Sequence, residues 1–291
     1  MESVTDNPPV IVIVGQTASG KSALGLRLAL ECNGEIIAAD SRTVYKGMDI
    51  GTAKPTAEER RMVPHHLIDV VSPDEPFTVA DFQRQARRAI DTIAACGHIP
   101  FIVGGSGLYV DALLYNFSFR PPAQPNAGQS LECLSISELQ SQIIDRQLPM
   151  PINRENRRHL MRTLQTNGLA ASREELRPNT LILGIRRERE ELLASIARRV
   201  DAMVESGFVD EVRRLAEHYG WDTPALQAPG YRAFRMYLAG SISLDQAKQD
   251  FIHNDAQYAK RQQTWFKRNP DINWISKMEE AVDLVTTFLN K

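Results

Sequence analysis

A glycine-rich segment near the start of the chain has the composition of a phosphate-binding loop. It comprises Gly15, Gln16, Thr17, Ala18, Ser19, Gly20, Lys21 and Ser22. The segment fits the pattern G-x-x-x-x-G-K-[ST], in which backbone N–H groups, here those from Thr17 to Ser22, surround an anion. Lys21 would neutralise the phosphate and Ser22 would ligate Mg²⁺. Such loops usually bind ATP, but the pattern does not say whether the phosphate is transferred, hydrolysed or expelled.

Two further polar segments follow apolar runs and could complete a catalytic site. Asp40 comes directly after "EIIAA" and is our candidate general base, although a carboxylate there could also support Mg²⁺ or cap a helix. Ser106 in "GGSGLY" offers a hydroxyl group between glycines that permit close approach. The end of that run lacks the acidic residue of an ordinary nucleoside triphosphatase, which disfavours simple ATP hydrolysis.

The elements that must position these residues alternate between strands and helices. Apolar runs predict strands at 10–14, 35–39, 100–103 and 180–185. Helices are predicted at 22–32, 79–96, 188–206, 208–219, 230–239 and 244–267. The sequence therefore predicts an α/β fold like that of the phosphate-loop nucleoside triphosphatases, a parallel sheet with helices on both faces. In such sheets, ligands bind beyond the carboxyl ends of the strands, where all three polar segments fall.

The middle of the chain has a different character and predicts an inserted helical subdomain. It begins near a proline-rich loop, "RPPAQPNAGQS", and is rich in arginine. We divide the chain into a first part of the core at 1–116, the insertion at 117–179, and the rest of the core with C-terminal helices at 180–291. The arginines of the insertion either form a solvated helix face or bind a polyanion.

Composition excludes several classes of protein. The 291 residues carry a formal net charge of −2, so any nucleic acid must meet a local basic patch. Three widely spaced cysteines argue against a disulfide framework or a zinc site, and His65 and His66, read as part of a turn, are expected to form hydrogen bonds. No segment resembles a signal peptide or a membrane span. We expect a cytoplasmic monomer.

Taken together, seven segments resemble the tRNA dimethylallyltransferases, also called tRNA isopentenyltransferases. They are "GQTASGKS", "DSRTVYKGMDIGTAKP", "PHHLIDVVSPDEPFTVADF", "GGSGLYVDALL", "RRVDAMVESGFVDEV", "GYRAF" and "YAKRQQTWFKR". The resemblance implies transfer of a dimethylallyl group from dimethylallyl diphosphate to N6 of the adenosine 3′ to the anticodon. Lys21, Asp40 and Ser106 would then be catalytic, with Mg²⁺ as cofactor and the anticodon stem-loop of tRNA as partner.

The same resemblance implies a set of tRNA-contacting residues. They are Asp40, Ser41, Arg42, Thr43, Ser106, Arg158, His159, Leu160, Met161, Arg162, Lys260 and Arg261. The chain departs from the family where Thr-Arg-Gln is common, since it reads Asp255-Ala256-Gln257 and lacks an arginine associated with the diphosphate. Either Arg261, Arg162 or Arg232 replaces this cation, or the donor binds more weakly.

Three other functions remain open at the level of sequence. A phosphate-loop kinase acting on a small metabolite would explain the glycine-rich loop but not the helical insertion or the basic tail. An adenylate isopentenyltransferase would use the same donor on a free nucleotide. A tRNA-binding protein without activity would have no need to retain Lys21, Ser22 and Asp40.

Overall fold

A computed structural model describes residues 7–119, 131–168 and 172–290. The strands are β1 (Val10–Gly15), β2 (Gly34–Ala38), β3 (His65–His66), β4 (Ile99–Gly104), β5 (Thr180–Ile185) and β6 (Ile272–Ile275). The α-helices are α1 (Lys21–Glu31), α2 (Ala57–Met62), α3 (Val79–Ala95), α4 (Gly107–Leu114), α5 (Ile136–Asp145), α6 (Arg157–Gln165), α7 (Arg189–Glu205), α8 (Phe208–Tyr219), α9 (Pro229–Leu238), α10 (Leu244–Phe266) and α11 (Met278–Leu289). Among the described helices, none is both long and apolar enough to cross a membrane.

The chain divides into two compact units. The first unit combines Met1–Leu114 with Leu176–Lys291, and the second unit is Tyr115–Glu175. The sequence places the insertion at 117–179, and its proline-rich loop, 120–130, lies outside the described residues. The second unit contains α5 and α6, whose apolar side chains form a small core of their own.

The first unit is built on one parallel sheet with the strand order β3-β2-β4-β1-β5-β6. Central β1 is buried along its whole length and pairs with both neighbours, with Val12 opposite Ile102 of β4 and Ile182 of β5. Strands buried on both faces consist of nearly continuous apolar residues, which is why β1 reads "VIVIVG". The predicted α/β class is confirmed.

Two strands of this sheet were not expected. His65 and His66 form β3 beside β2 rather than part of a turn, and Ile272–Ile275 forms β6 beside β5. Both strands are short and lie at the sheet edges, so their pairing depends on distant neighbours more than on their own apolar pattern. The prediction of a turn at the two histidines was wrong for this reason.

Two apolar clusters hold the first unit together. On the sheet, Ile11 and Ile13 of β1 pack in one cluster with Leu28 of α1 and Val285 of α11. A second cluster joins helices α7 to α10 around Phe208, whose ring lies 5.1 Å from Tyr231 and 4.9 Å from Phe234 between centroids. The second cluster fixes the helices that close the carboxyl end of the sheet.

At the start of β2, the carboxylate of Glu35 lies between two histidines. Its oxygens are 2.6 Å from Nε2 of His66 and 2.5 Å from Nδ1 of His98. Burial by itself raises the pKa of Glu35, but the hydrogen bonds from His66 and His98 outweigh it, so the pKa is lowered. The cluster thus joins β2 to β3 and to the residue that precedes β4.

We expect Glu35→Gln to lower the free energy of unfolding at pH 7 by about 1 kcal/mol. Since folding lowers the pKa of Glu35, its contribution is complete above the unfolded value of about 4.3 and is lost as pH falls through the folded value. Urea unfolding of both proteins between pH 7 and pH 3 checks this, with exposed Glu217→Gln as control. A difference that persists at pH 3 would contradict the assignment.

Candidate active site

A cavity of about 390 Å³ lies at the carboxyl ends of β1, β2 and β4. The predicted site residues in its wall are Thr17, Lys21, Ser22, Asp40, Ser41, Arg42, Thr43 and Arg261. Helices α7, α9 and α10, the 49–54 loop and His65 supply further wall residues, and Ile36, Val103 and Phe251 form an apolar part. The cavity therefore combines charged groups with an apolar surface.

The phosphate loop takes a tight conformation between β1 and α1. Gly20 has a φ of 93°, which L-residues other than glycine rarely adopt, and it directly precedes the first turn of α1. The N–H of Ser19 donates to the carbonyl oxygen of Gln16 at 3.2 Å, which closes the turn. The first N–H groups of a helix have no acceptor within the helix, so those of α1 are available to an anion.

Two of the predicted anion donors already have acceptors within the protein. The N–H of Thr17 donates to Oε1 of Gln262 at 2.7 Å, and the side chain of Gln16 donates to the carbonyl oxygen of Ala259 at 3.1 Å. Gln16 and Thr17 of the phosphate loop are thus hydrogen-bonded to α10. Since the N–H of Ser19 is used within the turn, the expectation that the anion contacts all N–H groups from Thr17 to Ser22 does not hold for Thr17 and Ser19.

Lys21 is a cation of the cavity wall at the start of α1. Its Nζ donates to the carbonyl oxygen of Gln16 at 3.2 Å. Burial lowers the pKa of Lys21 to about 8, although the nearby Asp40 carboxylate acts in the opposite direction and raises it. A buried ammonium group whose pKa is lowered gains stabilisation from a bound anion. This electrostatic environment suits a phosphate group.

Asp40 and Ser106 are brought together by the loops that follow β2 and β4. Oδ1 of Asp40 accepts the N–H of Arg42 at 2.8 Å, and Oγ of Ser106 accepts the N–H of Ser41 at 3.1 Å. Gly104 permits this approach, since a Cβ atom there would lie 2.0 Å from the carbonyl oxygen of Ala39. The two loops therefore place a carboxylate and a hydroxyl group at the same end of the sheet.

Helix α10 presents one face to these loops. Phe251, Asp255, Tyr258 and Gln262 follow the spacing of one helix face and all line the cavity. Gln262 donates from Nε2 to the carbonyl oxygen of Gly105 at 2.9 Å, so its amide joins this loop to the phosphate loop. Burial raises the pKa of Tyr258 to about 12 even though its hydroxyl group is hydrogen-bonded to Ser106 and Gln262.

The sequence did not identify two charged residues of the wall. Arg199 of α7 donates from Nη2 to Oδ2 of Asp255 on α10, and both lie in the cavity lining. Arg199 lies on α7, whose apolar residues Leu192 and Val200 are buried in the core. The segment "RRVDAMVESGFVDEV" contained the arginine, but only the packing of α7 on α10 shows that it reaches the cavity.

A loop at 49–54 forms another part of the wall and is held by two buried charged side chains. Glu211 of α8 accepts the N–H groups of Asp49 at 2.9 Å, Ile50 at 2.7 Å and Gly51 at 3.0 Å. Lys54, with its side chain 1% exposed, donates to Oδ1 of Asp49 at 2.6 Å. The positions of Gly51 to Ala53 in the cavity wall thus depend on Glu211.

In the second unit, the predicted tRNA-contacting residues lie on α6. Arg158, His159 and Arg162 are exposed, whereas Leu160 is 0% exposed and packs in the core of this unit. Met161 is partly buried against the same core. The expectation of tRNA contact is therefore corrected for the side chain of Leu160, whose burial between α5 and α6 gives it a packing role.

The cations considered as replacements at the diphosphate occupy different places. Arg261 lies in the cavity wall near the ring of Tyr258, 5.7 Å from its centroid, whereas Arg232 lines a separate groove between α9 and α10. Lys260 is exposed on α10, and Ala256 packs in a small apolar cluster that includes Ala18 of the phosphate loop. The side chain at position 256 therefore makes an apolar contact.

Comparison with known proteins decides the family. The family model of the IPP transferases matches residues 43–269. The chain belongs to this family. The IPP transferases similar to this chain include the tRNA dimethylallyltransferase of Anoxybacillus flavithermus, which is 39% identical over 285 residues, or 94% of this chain and 92% of that protein.

Solved structures of IPP transferases share the fold. The tRNA isopentenylpyrophosphate transferase of Bacillus halodurans superimposes with a TM-score of 0.76 at 37% identity, covering 97% of each chain. A eukaryotic dimethylallyltransferase acting on tRNA gives a TM-score of 0.76 at 27% identity, over 92% of this chain and 74% of that one. The family predicted from the seven segments is confirmed.

Proposed function

We propose that this chain transfers a dimethylallyl group from dimethylallyl diphosphate to N6 of the adenosine 3′ to the anticodon in tRNA, releasing diphosphate. One observation carries the proposal: Lys21 and Ser22 line the same cavity as Asp40 and the apolar side chains of Val103 and Phe251. The charged end suits a diphosphate and the apolar wall suits a branched five-carbon group. The names of the relatives support the same donor group and acceptor.

The phosphate loop would stabilise the leaving group. Attack on the allylic carbon breaks its bond to the diphosphate oxygen, and the negative charge that develops there meets Lys21 and the N–H groups at the start of α1. Mg²⁺ fits Ser22, because this ion is commonly held by few protein ligands together with phosphate oxygens. When bound, Mg²⁺ would further neutralise the diphosphate.

Asp40 would serve as the general base. The exocyclic amine of adenine is a weak nucleophile because its lone pair is delocalised into the ring. As N6 bonds to the allylic carbon, its proton must leave, and a carboxylate within hydrogen-bond reach can accept it. Ser106, held by the N–H of Ser41, would orient the amine beside Asp40.

The exposed arginines of α6 would contact the tRNA backbone. Arg158 and Arg162 lie on the surface of the second unit, whereas Arg157 donates to the carbonyl oxygens of Leu131, Leu134 and Glu132 and so has a structural role. The adenosine must also leave the stack of the anticodon loop to react, at a cost of a few kcal/mol. Contacts to the tRNA backbone would offset part of this cost.

We expect Arg158→Ala and Arg162→Ala each to weaken tRNA binding. Each lost phosphate contact should reduce the slope of log K against log salt by about 0.7 to 0.9. Filter binding across a salt series measures this slope, and Arg146→Ala, exposed in the same unit, is the control. Slopes equal to that of the control would assign these arginines to a solvated helix face.

A single assay tests the proposed reaction. The purified protein with Mg²⁺, dimethylallyl diphosphate and unmodified tRNA should yield N6-isopentenyladenosine, detected by mass spectrometry, and tRNA carrying guanosine at that position should give none. Lys21→Ala should lose the product, whereas Lys46→Ala, exposed outside the cavity wall, should keep it. Removal of Mg²⁺ with EDTA should abolish turnover.

Parallel reactions separate this function from its alternatives. Prenylation of AMP in preference to tRNA would indicate an adenylate isopentenyltransferase, and phosphate transfer from ATP to a metabolite would indicate a kinase. We further propose that the protein acts in the cytoplasm as a monomer, supported by its three free cysteines and by the placement of the cavity within one unit. Light scattering of the purified protein tests the monomer.

A further inference from the structure

A partly buried ion pair lies in the wall of the cavity where the phosphate loop meets α7 and α10. Asp255 is 8% exposed as a residue, and its carboxylate accepts a hydrogen bond from Nη2 of Arg199, whose side chain is 26% exposed. The Nε of Arg199 is buried and has no hydrogen-bond partner among the described residues. Part of the hydrogen-bonding capacity of this guanidinium therefore remains unused.

The charged groups around this pair come from four elements. Arg199 of α7, Lys21 at the start of α1 and Asp40 after β2 all act on Asp255 of α10. Lys21 in turn experiences Asp40, Arg199 and Asp255. Lys21 and Arg199 are therefore partly neutralised by the carboxylates of Asp40 and Asp255, while Arg187 is a further cation beside the phosphate loop, where its Nε donates to the carbonyl oxygen of Ser19 at 3.2 Å.

Asp255 neutralises Arg199 through its carboxylate, which a neutral side chain such as threonine or asparagine could not do. The next residue, Ala256, packs against apolar neighbours and brings no further cation. The balance of charge at this end of the cavity is thus less positive than the phosphate loop alone suggests.

We propose that Asp255 is an internal competitor of the diphosphate, one that occupies Arg199 in the empty site and weakens the binding of both the donor and the released diphosphate. The inference rests on the proposed function, since it assumes that a diphosphate binds at Lys21. A bound diphosphate is attracted by Arg199 and repelled by Asp255. Breaking this partly buried pair leaves Arg199 without its counter-charge, which destabilises the empty protein more than the loaded one.

Binding of inorganic pyrophosphate with Mg²⁺ tests the proposal. By isothermal titration calorimetry, we expect Asp255→Asn and Asp255→Thr to bind pyrophosphate at least about tenfold more tightly than wild type. Asp245→Asn removes the same charge from an exposed position of α10, about 15 Å along the helix, and should change affinity less than twofold. In thermal unfolding, pyrophosphate should raise the Tm of the Asp255 variants more than that of wild type.

A double-mutant comparison identifies the partner. Arg199→Gln should weaken pyrophosphate binding. Adding Asp255→Asn to Arg199→Gln should then increase the affinity for pyrophosphate by a smaller factor than Asp255→Asn does in the wild-type protein. A folded Asp255→Asn or Asp255→Thr protein that binds pyrophosphate no better than wild type would overturn the proposal and assign the pair to holding α7 on α10. The proposal would also be overturned if Asp245→Asn increased the affinity for pyrophosphate as much as the Asp255 variants do.

Lys21→Ala separates this proposal from the proposed function. If Lys21→Ala loses pyrophosphate binding while the Asp255 variants gain none, the competitor role fails and the phosphate site stands. If Lys21→Ala binds pyrophosphate as wild type does, the anion does not occupy the phosphate loop, and the proposed function and the role of Asp255 fail together.

Discussion

Replacing Asp40 with asparagine is expected to lower kcat for tRNA prenylation by about 10² to 10⁴-fold. The amide keeps the size of the side chain and can still accept the N–H of Arg42, which Oδ1 of Asp40 accepts at 2.8 Å. It cannot take the proton that leaves N6. Single-turnover kinetics should therefore show a slow chemical step, while the Kd for tRNA stays within about twofold of the wild-type value.

Asp74→Asn provides the matched control for this variant. Asp74 is exposed and lies outside the cavity wall, so the same charge change there should leave kcat unchanged. Near-normal turnover in Asp40→Asn would remove Asp40 from the role of base. An equal loss in affinity for tRNA and in kcat would instead indicate that Asp40 mainly positions the acceptor.

Replacing Glu211 with glutamine is expected to cost about 3 kcal/mol in the free energy of unfolding. The carboxylate is 4% exposed and accepts three backbone N–H groups of the 49–54 loop, and also the hydroxyl group of Tyr231 at 2.7 Å. A glutamine has one acceptor oxygen, and its NH₂ would face N–H donors. Because this loop forms part of the cavity wall, we also expect a higher KM for the donor.

Tyr231→Phe is the comparison that isolates the backbone bonds. It removes one of the four hydrogen bonds to Glu211 and should cost about 1 kcal/mol, because the ring remains packed on Phe208. Urea unfolding measures both losses. If Glu211→Gln costs no more than Tyr231→Phe, the three N–H groups of the 49–54 loop contribute little, and Glu211 does not hold this part of the cavity.

The local sequence pattern was sufficient to predict the strands and helices that carry Lys21, Asp40 and Ser106. The apolar runs of β1, β2, β4 and β5 end in turn residues, and their bounds agree with prediction to within one residue. Helices α7, α8 and α10 were found with similar accuracy, since each has an apolar stripe with helical spacing. Near the chain start, a strand, a glycine-rich turn and a helix are consecutive, so sequence alone places Lys21.

The rest of the cavity arises from contacts between residues far apart in sequence. Arg199 and Asp255 meet because α7 packs on α10, and Glu211 reaches a loop about 160 residues earlier in the chain. Nothing in the neighbourhood of Glu211 distinguishes it from a solvated acidic residue of α8. Thr17 shows the converse, since its N–H looked available in the sequence and is used by Gln262.

The side-chain amide of Gln262 connects the phosphate loop to the segment that follows β4. One side-chain oxygen holds the phosphate loop at Thr17, and the nitrogen of the same amide holds the segment after β4 at Gly105, next to Ser106. The phosphate loop and the segment beside Ser106 therefore share one planar amide on α10, and a substitution at Gln262 would release both at once.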